Sequence, residues 1–404
     1  MLTTEIMSTL PPRVPILSLL IISTETLHMQ SVITILSLSV FVLFAFPAAM
    51  DEKLSAAHTV FSLNLLKQLS TSSEPLVCSP ASASLGLATI FSGARGETRE
   101  QLRRILGEDF SEEQFQGFID SLKEKEENVL FANKIYVHKG VRMKTKFKKN
   151  CRVDLEQVDF GDHEKAASKI NDWEMRSTGT VPQFFDSLPR DEKTKILLLG
   201  GACFKGSWSE RFGTTSAMFH ESPSKSREVT MISDTLKCVY YNEDKTLKVL
   251  RIPFRTHDFS MIFFLPAQFE DVFMFLSKTD ASIIVRTLKN ARIETVTVEI
   301  PQFSISSKLS LKDPLEKMGV NCFSKHKADL SGISSTKGCR VTDVMQRAAI
   351  RINENGVGIP PLSTMRMVPI SLAPTSKEFF ADRPFFYFVV EERTGAVVLA
   401  GTYL

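Results

Sequence analysis

The chain ends in DRPFFYFVVEERTGAVVLAGTYL (382–404), which holds two apolar segments, Phe385–Val390 and Ala396–Leu399, on either side of Thr394-Gly395. KILLLGGACF (195–204) has the same character. It is a nearly continuous apolar run, as expected of a strand covered on both faces. Working outward, Leu247–Pro253, Phe259–Leu265 and Val296–Ile300 run or alternate apolar like strands. Val129–Val137 and Leu76–Cys78 read as strands, and Val341–Ile352 reads as extended. Between them lie helical patterns. Val60, Phe61, Leu63, Leu65, Leu66 and Leu69 recur at helical spacing within 54–69. A second helix follows Pro80 through Ile90 and breaks at Gly93-Ala94-Arg95-Gly96. Glu97–Leu106, an acidic stretch at 111–127, Ala166–Arg176 and Leu309–Met318, closed by Gly319, complete the set. Strands and helices alternate without βαβ spacing, which predicts an α+β domain with large antiparallel sheets. No repeat and no linker interrupt 51–404, so one domain is expected there.

With 43% hydrophobic residues among 404, the chain can bury a large core, and thirty phenylalanines against two tryptophans make that core phenylalanine-rich. A net charge of +3 gives no global footprint for nucleic acid, so no nucleic-acid partner is expected. Residues 1–50 differ from the rest. Ser31–Phe46 carries no charge and is followed by Ala48-Ala49 and then by Asp51-Glu52-Lys53. The run falls short of the ~20 residues of a membrane helix and has the small-residue exit of a cleaved secretory signal. A signal anchor or an extension with no leader role are the alternatives, and the first reading gives a secreted, extracellular protein. Six cysteines form no CxxC; Cys78 and Cys203, inside apolar runs, read as buried free thiols.

No catalytic constellation is present: no GxSxG, HExxH, Walker loop or GxGxxG after a strand. His163 stands near Asp159, Asp162 and Glu164, a set that reads as a solvated polar turn rather than a metal site. The run KGVRMKTKFKKNCR (139–152) carries seven basic residues; it is a solvated face by default and a polyanion site by alternative. No enzyme activity, metal or cofactor is expected.

Several of these segments resemble serpin signatures, in serpin order. They are SGARGETREQL (92–102), NKIYV (133–137), VDF (158–160), INDW (170–173), FKGSW (204–208), FSMIFFLP (259–266), VEIPQFSISSKLSLKDPLEKMGV (298–320), KADLSGIS (327–334) and the closing 382–404. The resemblance spans Leu54 to Leu404. It implies three β-sheets, eight or nine helices and an exposed reactive-centre loop, at 357–378 here, in a monomer. In inhibitory members a protease cleaves that loop and forms an acyl-enzyme. The loop then enters the central sheet as an extra strand and deforms the attached protease. MQRAAIRINENG (345–356) resembles the strand and hinge leading into the loop, with Glu354 and Gly356 at hinge positions. Counting on from Glu354 by family spacing places the scissile bond at Ile370–Ser371, which suits an elastase-like or subtilisin-like protease with an apolar pocket. A shifted register offers Arg366 to a trypsin-like enzyme or Leu372 to a chymotrypsin-like one.

Two departures bear on that expectation. After Gly356 the family's inhibitors carry Thr or Ser and then small residues, whereas this chain has Val357, Gly358, Ile359, Pro360 and Pro361. Each proline lacks an N–H, so a central strand made from this segment loses ladder bonds. The resemblance also implies a sheet-opening cluster of two serines, an asparagine and a histidine. Ser79 and Ser82 match, but Gly200 and Gln346 stand at the other two positions. The inhibitor reading therefore competes with a non-inhibitory serpin acting as a binding, carrier, chaperone or storage protein.

Overall fold

The computed structural model describes residues 52–404 apart from 72–73, 111–116, 118–119, 121, 123, 126, 152, 179–194, 325 and 360–376. The leader expected over 1–50, most of the acidic helix at 111–127, and Pro360, Pro361, Ile370 and Ser371 fall outside the described residues. Ala49–Leu404 form one compact unit.

Eight helices occur among the described residues: α1 (Glu52–Leu69), α2 (Pro80–Gly93), α3 (Gly96–Leu106), α4 (Thr145–Asn150), α5 (His163–Thr178), α6 (Val272–Lys278), α7 (Ala281–Lys289) and α8 (Lys312–Lys317). The strands are β1 (Leu76–Cys78), β2 (Val129–His138), β3 (Asp154–Val158), β4 (Ile196–Phe204), β5 (Gly206–Ser207), β6 (Gly213–Ser222), β7 (Lys225–Glu243) and β8 (Leu247–Pro253). They continue with β9 (Phe259–Pro266), β10 (Arg292–Pro301), β11 (Phe303–Ser310), β12 (Val341–Asn353), β13 (Gly356–Val357), β14 (Lys377–Phe380), β15 (Phe385–Glu391) and β16 (Val397–Tyr403).

One hydrogen-bonded network runs β1-β16-β15-β9-β8-β7-β10-β14, with β6 on β7. It is two sheets joined through β7. The first part of β7 pairs with β6 and its end with β8, and the register with β10 shifts beside Cys238, whose φ is +59°. The third sheet is the central one, β3-β2-β4-β12 with β11 on the far side of β12. The α+β serpin architecture implied by the sequence is therefore the one observed.

The closing hairpin is buried as its composition demands: every residue of β15 and β16 is covered. Phe264 stacks on Phe386 at 4.6 Å, and Phe303, Phe385 and Tyr403 cluster beside them. Helix α2 starts where the sequence provides a cap and an N1 proline. Ser79 Oγ accepts from the Ser82 amide at 3.2 Å, ahead of Pro80. Two readings change. The helix expected from Leu309 begins only at Lys312, because Leu309 and Ser310 extend β11 opposite Gln346 and Met345. Cys78 is a buried free thiol, its pKa raised to about 12 by burial, but Cys203 is only half-buried.

Candidate functional site at the head of the central sheet

Strands β4 and β12 lie side by side and parallel, with Ile196 to Cys203 registered on Val341 to Ala349. Above that level the seam between them is occupied. β5 continues the line of β4, and β13 sits between β5 and β12, antiparallel to both: Val357 faces Ile352 and Gly206, and Gly356 faces Asn353 and Ser207. The Gly358 amide donates to the Arg351 carbonyl at 2.7 Å, adding one more rung. So β13 is a short wedge at the head of a zipped seam.

The wedge admits only glycine at two of its positions. A Cβ on Gly356 (φ +153°) would meet the Gly206 carbonyl at 2.0 Å, and one on Gly358 (φ +68°) would meet the Phe204 carbonyl at 2.5 Å. The left-handed φ at Gly358 turns the chain out of the seam. Val357 between them is fully buried. The turn that makes the wedge is an Asx turn: Asn353 Oδ1 accepts from the amides of Asn355 (2.9 Å) and Gly356 (3.3 Å), while its Nδ2 donates to the Ile359 carbonyl at 2.5 Å.

Glu354, at the tip of the turn, points inward and is 7% exposed. Its carboxylate accepts from Arg211 Nη2 (3.3 Å), Gln302 Nε2 (3.1 Å) and Asn355 Nδ2 (3.0 Å). Trp208 Nε1 donates to the Asn353 carbonyl at 2.9 Å, and the amides of Trp208 and Phe212 donate to the carbonyls of Asn355 and Glu354, each at 3.0 Å. The hinge is therefore a built and desolvated structure rather than a slack connection. Gly356 and Glu354 are the residues that the resemblance assigns to the hinge; Asn353, Arg211, Gln302 and Trp208 were not assigned a role. Trp208 and Gln302 lie in the motifs FKGSW and VEIPQF, which offered a signal, but nothing in the sequence marks Arg211.

Comparison with known proteins agrees with this geometry. The sequence profile of the serpin (serine protease inhibitor) family matches residues 56–404. The chain belongs to the serpin family. Leukocyte elastase inhibitor A of Mus musculus is 30% identical over 374 residues, covering 87% of this chain and 98% of the mouse protein. Iripin-3 of Ixodes ricinus is 29% identical over 383 residues, covering 90% and 97%. Among solved structures, the native state of the thermophilic serpin tengpin superposes with a TM-score of 0.78 at 21% identity, over 88% of this chain and 95% of that one. The family is one of protease inhibitors rather than enzymes.

In this serpin the positions that the resemblance assigns to sheet opening come together below the wedge. Asn133 on β2, Gly200 on β4 and Gln346 on β12 share one register across three strands. A side chain at Gly200 would displace Ser82 Oγ, which a Cβ there would meet at 2.3 Å. Ser82 Oγ donates instead to Asn133 Oδ1 at 2.9 Å, so Asn133, unassigned from sequence, supplies the amide that position 200 lacks. Gln346, 1% exposed, accepts from the Ser79 amide and donates to the Ser79 carbonyl, both at 2.8 Å. Ser79 Oγ donates to the Val398 carbonyl at 2.7 Å. Gln346 thus ties β12 to the start of α2, and neither Gly200 nor Gln346 bridges β4 to β12 by side chain.

Helix α5 lies over the front of the seam. Trp173 packs edge-on to Tyr136 of β2 at 6.3 Å, in a cluster with Ile170, Leu197 and Leu199. Glu174, 1% exposed, meets Arg347 of β12 at 3.4 Å. α5 therefore holds both sides of the seam. His163 begins this helix, and among the described residues no three His, Cys, Asp or Glu side chains form a metal-binding group. The described part of the basic run, 139–149, sits at the opposite pole from the wedge, where β4 and β12 begin.

Proposed function

We propose that this serpin inhibits serine endopeptidases with an apolar primary pocket, elastase-like or subtilisin-like, using Ile370–Ser371 as the bond offered for cleavage. The observation that carries the reading is the wedge, because β13 already begins the strand that a cleaved loop would complete. The protease serine attacks the Ile370 carbonyl carbon. The bond to the Ser371 nitrogen breaks, and that nitrogen leaves as an amine carrying the proton. The ester left behind links the protease to the loop. Water can hydrolyse the ester, and the loop can enter the seam first; the outcome is a race between the two.

Continuing β13 in its own register sets Ile359 opposite Ile350, Pro360 opposite Ala349 and Pro361 opposite Ala348. Val357, Ile359, Pro361, Ser363 and Met365 then fall on the side of the buried Ile352, Ile350, Ala348, Gln346 and Val344. That alternation is largely apolar inward and suits a central strand. Among the described residues 357–359, Gly358 is the one that must change its φ, which glycine does at little steric cost. The prolines oppose entry. N–H groups at 358, 360 and 362 face β12, and those at 359 and 361 face β4, so each side of the new strand loses one bond. A buried carbonyl without its donor costs about 1–3 kcal/mol. The remaining rungs, at about 1 kcal/mol each over roughly a dozen residues, outweigh that loss. Insertion is downhill but obstructed at its first steps. The expected behaviour is an inhibitor that loses many loops to plain cleavage for each protease it traps.

A second reading, a non-inhibitory serpin acting as a binding, carrier, chaperone or storage protein, is favoured by one observation, the adjacent prolines. Incubation with elastase, subtilisin, trypsin and chymotrypsin separates the two. An SDS-stable complex with elastase or subtilisin, and cleaved protein of raised Tm, is the expected result. Cleavage within 357–372 with neither complex nor gain in Tm overturns the inhibitor reading in favour of the second. We also place the protein outside the cell, on the support of the uncharged run Ser31–Phe46 ahead of Ala48-Ala49. N-terminal sequencing of exported protein checks this.

A further inference from the structure

One dipeptide of the wedge carries chemistry of its own. Among the 19 glycines of the chain, Gly356 alone follows an asparagine, and Asn355-Gly356 lies in the turn that builds β13. Glycine after asparagine leaves the side-chain carbonyl carbon open to the next backbone nitrogen, because no Cβ stands in the way. Replacing the glycine would remove that reactivity. Here it cannot be replaced, since a Cβ at 356 would meet the Gly206 carbonyl at 2.0 Å in a backbone of φ +153°. The close fit of the head therefore fixes the reactive pair. Gly356 N, the attacking atom, is held by Asn353 Oδ1 at 3.3 Å, longer than the usual N–H···O distance of about 3.0 Å. Asn355 Nδ2, the leaving atom, donates to Glu354 Oε1 at 3.0 Å. Asn355 is partly exposed and so within reach of water, whereas Glu354 and Gly356 on either side are buried.

We propose that Asn355 is a self-modification site that loosens the head of the seam as the protein ages. Gly356 N bonds to Asn355 Cγ, the Cγ–Nδ2 bond breaks, and ammonia leaves with the proton that Gly356 N gives up. Water then opens the cyclic imide. Opening at Cγ gives aspartate. Opening at the backbone carbonyl gives isoaspartate, whose main chain runs through the side chain and is one atom longer. No oxidant and no cofactor is required. Both products weaken the head. The Nδ2 donor to Glu354 becomes a second carboxylate beside a buried one, with Arg211 as the cation in contact, so a like-charge contact replaces a hydrogen bond. Isoaspartate also shifts Gly356 and Val357 against Ser207 and Gly206, where the fit admits no added atom. The carbonyls of Glu354 and Asn355, which accept the Phe212 and Trp208 amides, move with it. Loosening then starts at β13 and leaves the zipped body, Ile196–Cys203 on Val341–Ala349, as it was. The reaction needs the folded chain and water alone, so it does not rest on whether the loop traps a protease.

The test ages the full chain at neutral and at mildly alkaline pH, beside a free peptide of residues 351–359 as the unprotected reference. Peptide mapping by mass spectrometry follows the exchange of ammonia for water, and an isoaspartyl methyltransferase assay counts isoaspartate. Asn355 should convert in the folded protein, and faster at the higher pH because the attacking nitrogen must lose its proton. Exposed Asn290, followed by Ala291, should lag it by about tenfold or more. In the aged protein, hydrogen exchange at the amides of Trp208, Phe212 and Gly358 should quicken about tenfold, with those of Leu198 to Ala202 unchanged. Asn355→Gln keeps an amide beside Glu354 but needs a larger ring, so it should lose the conversion and keep the slow exchange. Asn355→Asp should show the fast exchange from the start. The proposal is overturned if Asn355 is intact when the reference peptide has converted, or if Asn290 converts as fast. It is equally overturned if aged, converted protein exchanges at those three amides no faster than fresh protein.

Discussion

The head and the body of the β4–β12 seam are held by opposite means. At the head the strands are parted by β13, and the fit is so close that glycine is required at positions 356 and 358. In the body they are zipped from Ile196–Val341 to Cys203–Ala349, fastened to α2 through Gln346 and covered by α5 through Glu174–Arg347. The head is shaped by exclusion of side chains, the body by their engagement. Opening therefore has a built-in starting point, and resistance to it is distributed below that point.

This contrast can be broken in graded steps. The largest effect is expected of Gly356→Val. Its Cβ meets the Gly206 carbonyl at 2.0 Å in a backbone region that valine avoids, so the head must rebuild at about 4 kcal/mol or more. Denaturant unfolding measures it, and a loss below about 1 kcal/mol would show that the wedge is loosely held. Next is Gln346→Leu, which leaves the buried Ser79 amide unpaired and its carbonyl with the Ala83 amide as remaining donor, at about 1–3 kcal/mol. The body is thereby loosened while the head is intact, so loop entry should quicken as global stability falls. If stability falls with no change in entry rate, Gln346 is only a prop.

Replacing both prolines, Pro360→Ala with Pro361→Ala, restores one bond on each side of the entering strand. The fraction of loops ending in complex rather than free cleaved protein should rise about tenfold, corresponding to about 1.4 kcal/mol between the competing barriers. Gel densitometry at several protease ratios reads this. An unchanged fraction would move the obstacle from the loop to the body of the seam.

The smallest effect serves as a control at a residue that bonds neither strand of the seam. His58 on α1 accepts from the Val397 amide through Nδ1 at 3.2 Å and meets Ser84 through Nε2 at 3.2 Å. Burial lowers its pKa from 6.5 to about 4. The folded state therefore resists a proton that the unfolded chain takes up below pH 6.5. The stability this confers is full above that pH and is lost as pH falls towards 4. Between pH 7.5 and 5.5 the loss is about 1 kcal/mol. His58→Gln should flatten that part of the profile without altering the ratio of complex to cleaved loop.

Much of the frame was legible in the sequence for a local reason. Strands such as 195–204 and 385–390 are buried on both faces and carry unbroken apolar runs. The 19-residue β7 was missed because its five buried residues, Val229, Met231, Ile232, Val239 and Tyr241, are spread among exposed and partly buried ones with no long apolar run to mark them. The hinge could be located by the resemblance of 345–356, but not the groups that hold it. Arg211 and Glu354 are 143 positions apart, and only the fold brings them together. Gly200 looked like a loss within the sheet-opening cluster. Its replacement by Asn133 depends on register across two strands, which composition does not encode. The prolines were legible as an obstacle, yet which neighbour each would deprive required the register of β13.

That register has one more consequence. Entry from a fixed end converts position along the loop into time after cleavage. Under the proposed cleavage at Ile370–Ser371, the residue next to Gly358 is tested first and Ile370 last, so the chain would act as its own clock. Substitutions near the wedge then alter how soon the strand starts, and those near the cut alter only how it finishes. On the proposed inhibitory reading the slow tick comes almost at the outset, at Pro360 and Pro361, while the protease would have had least time to be displaced.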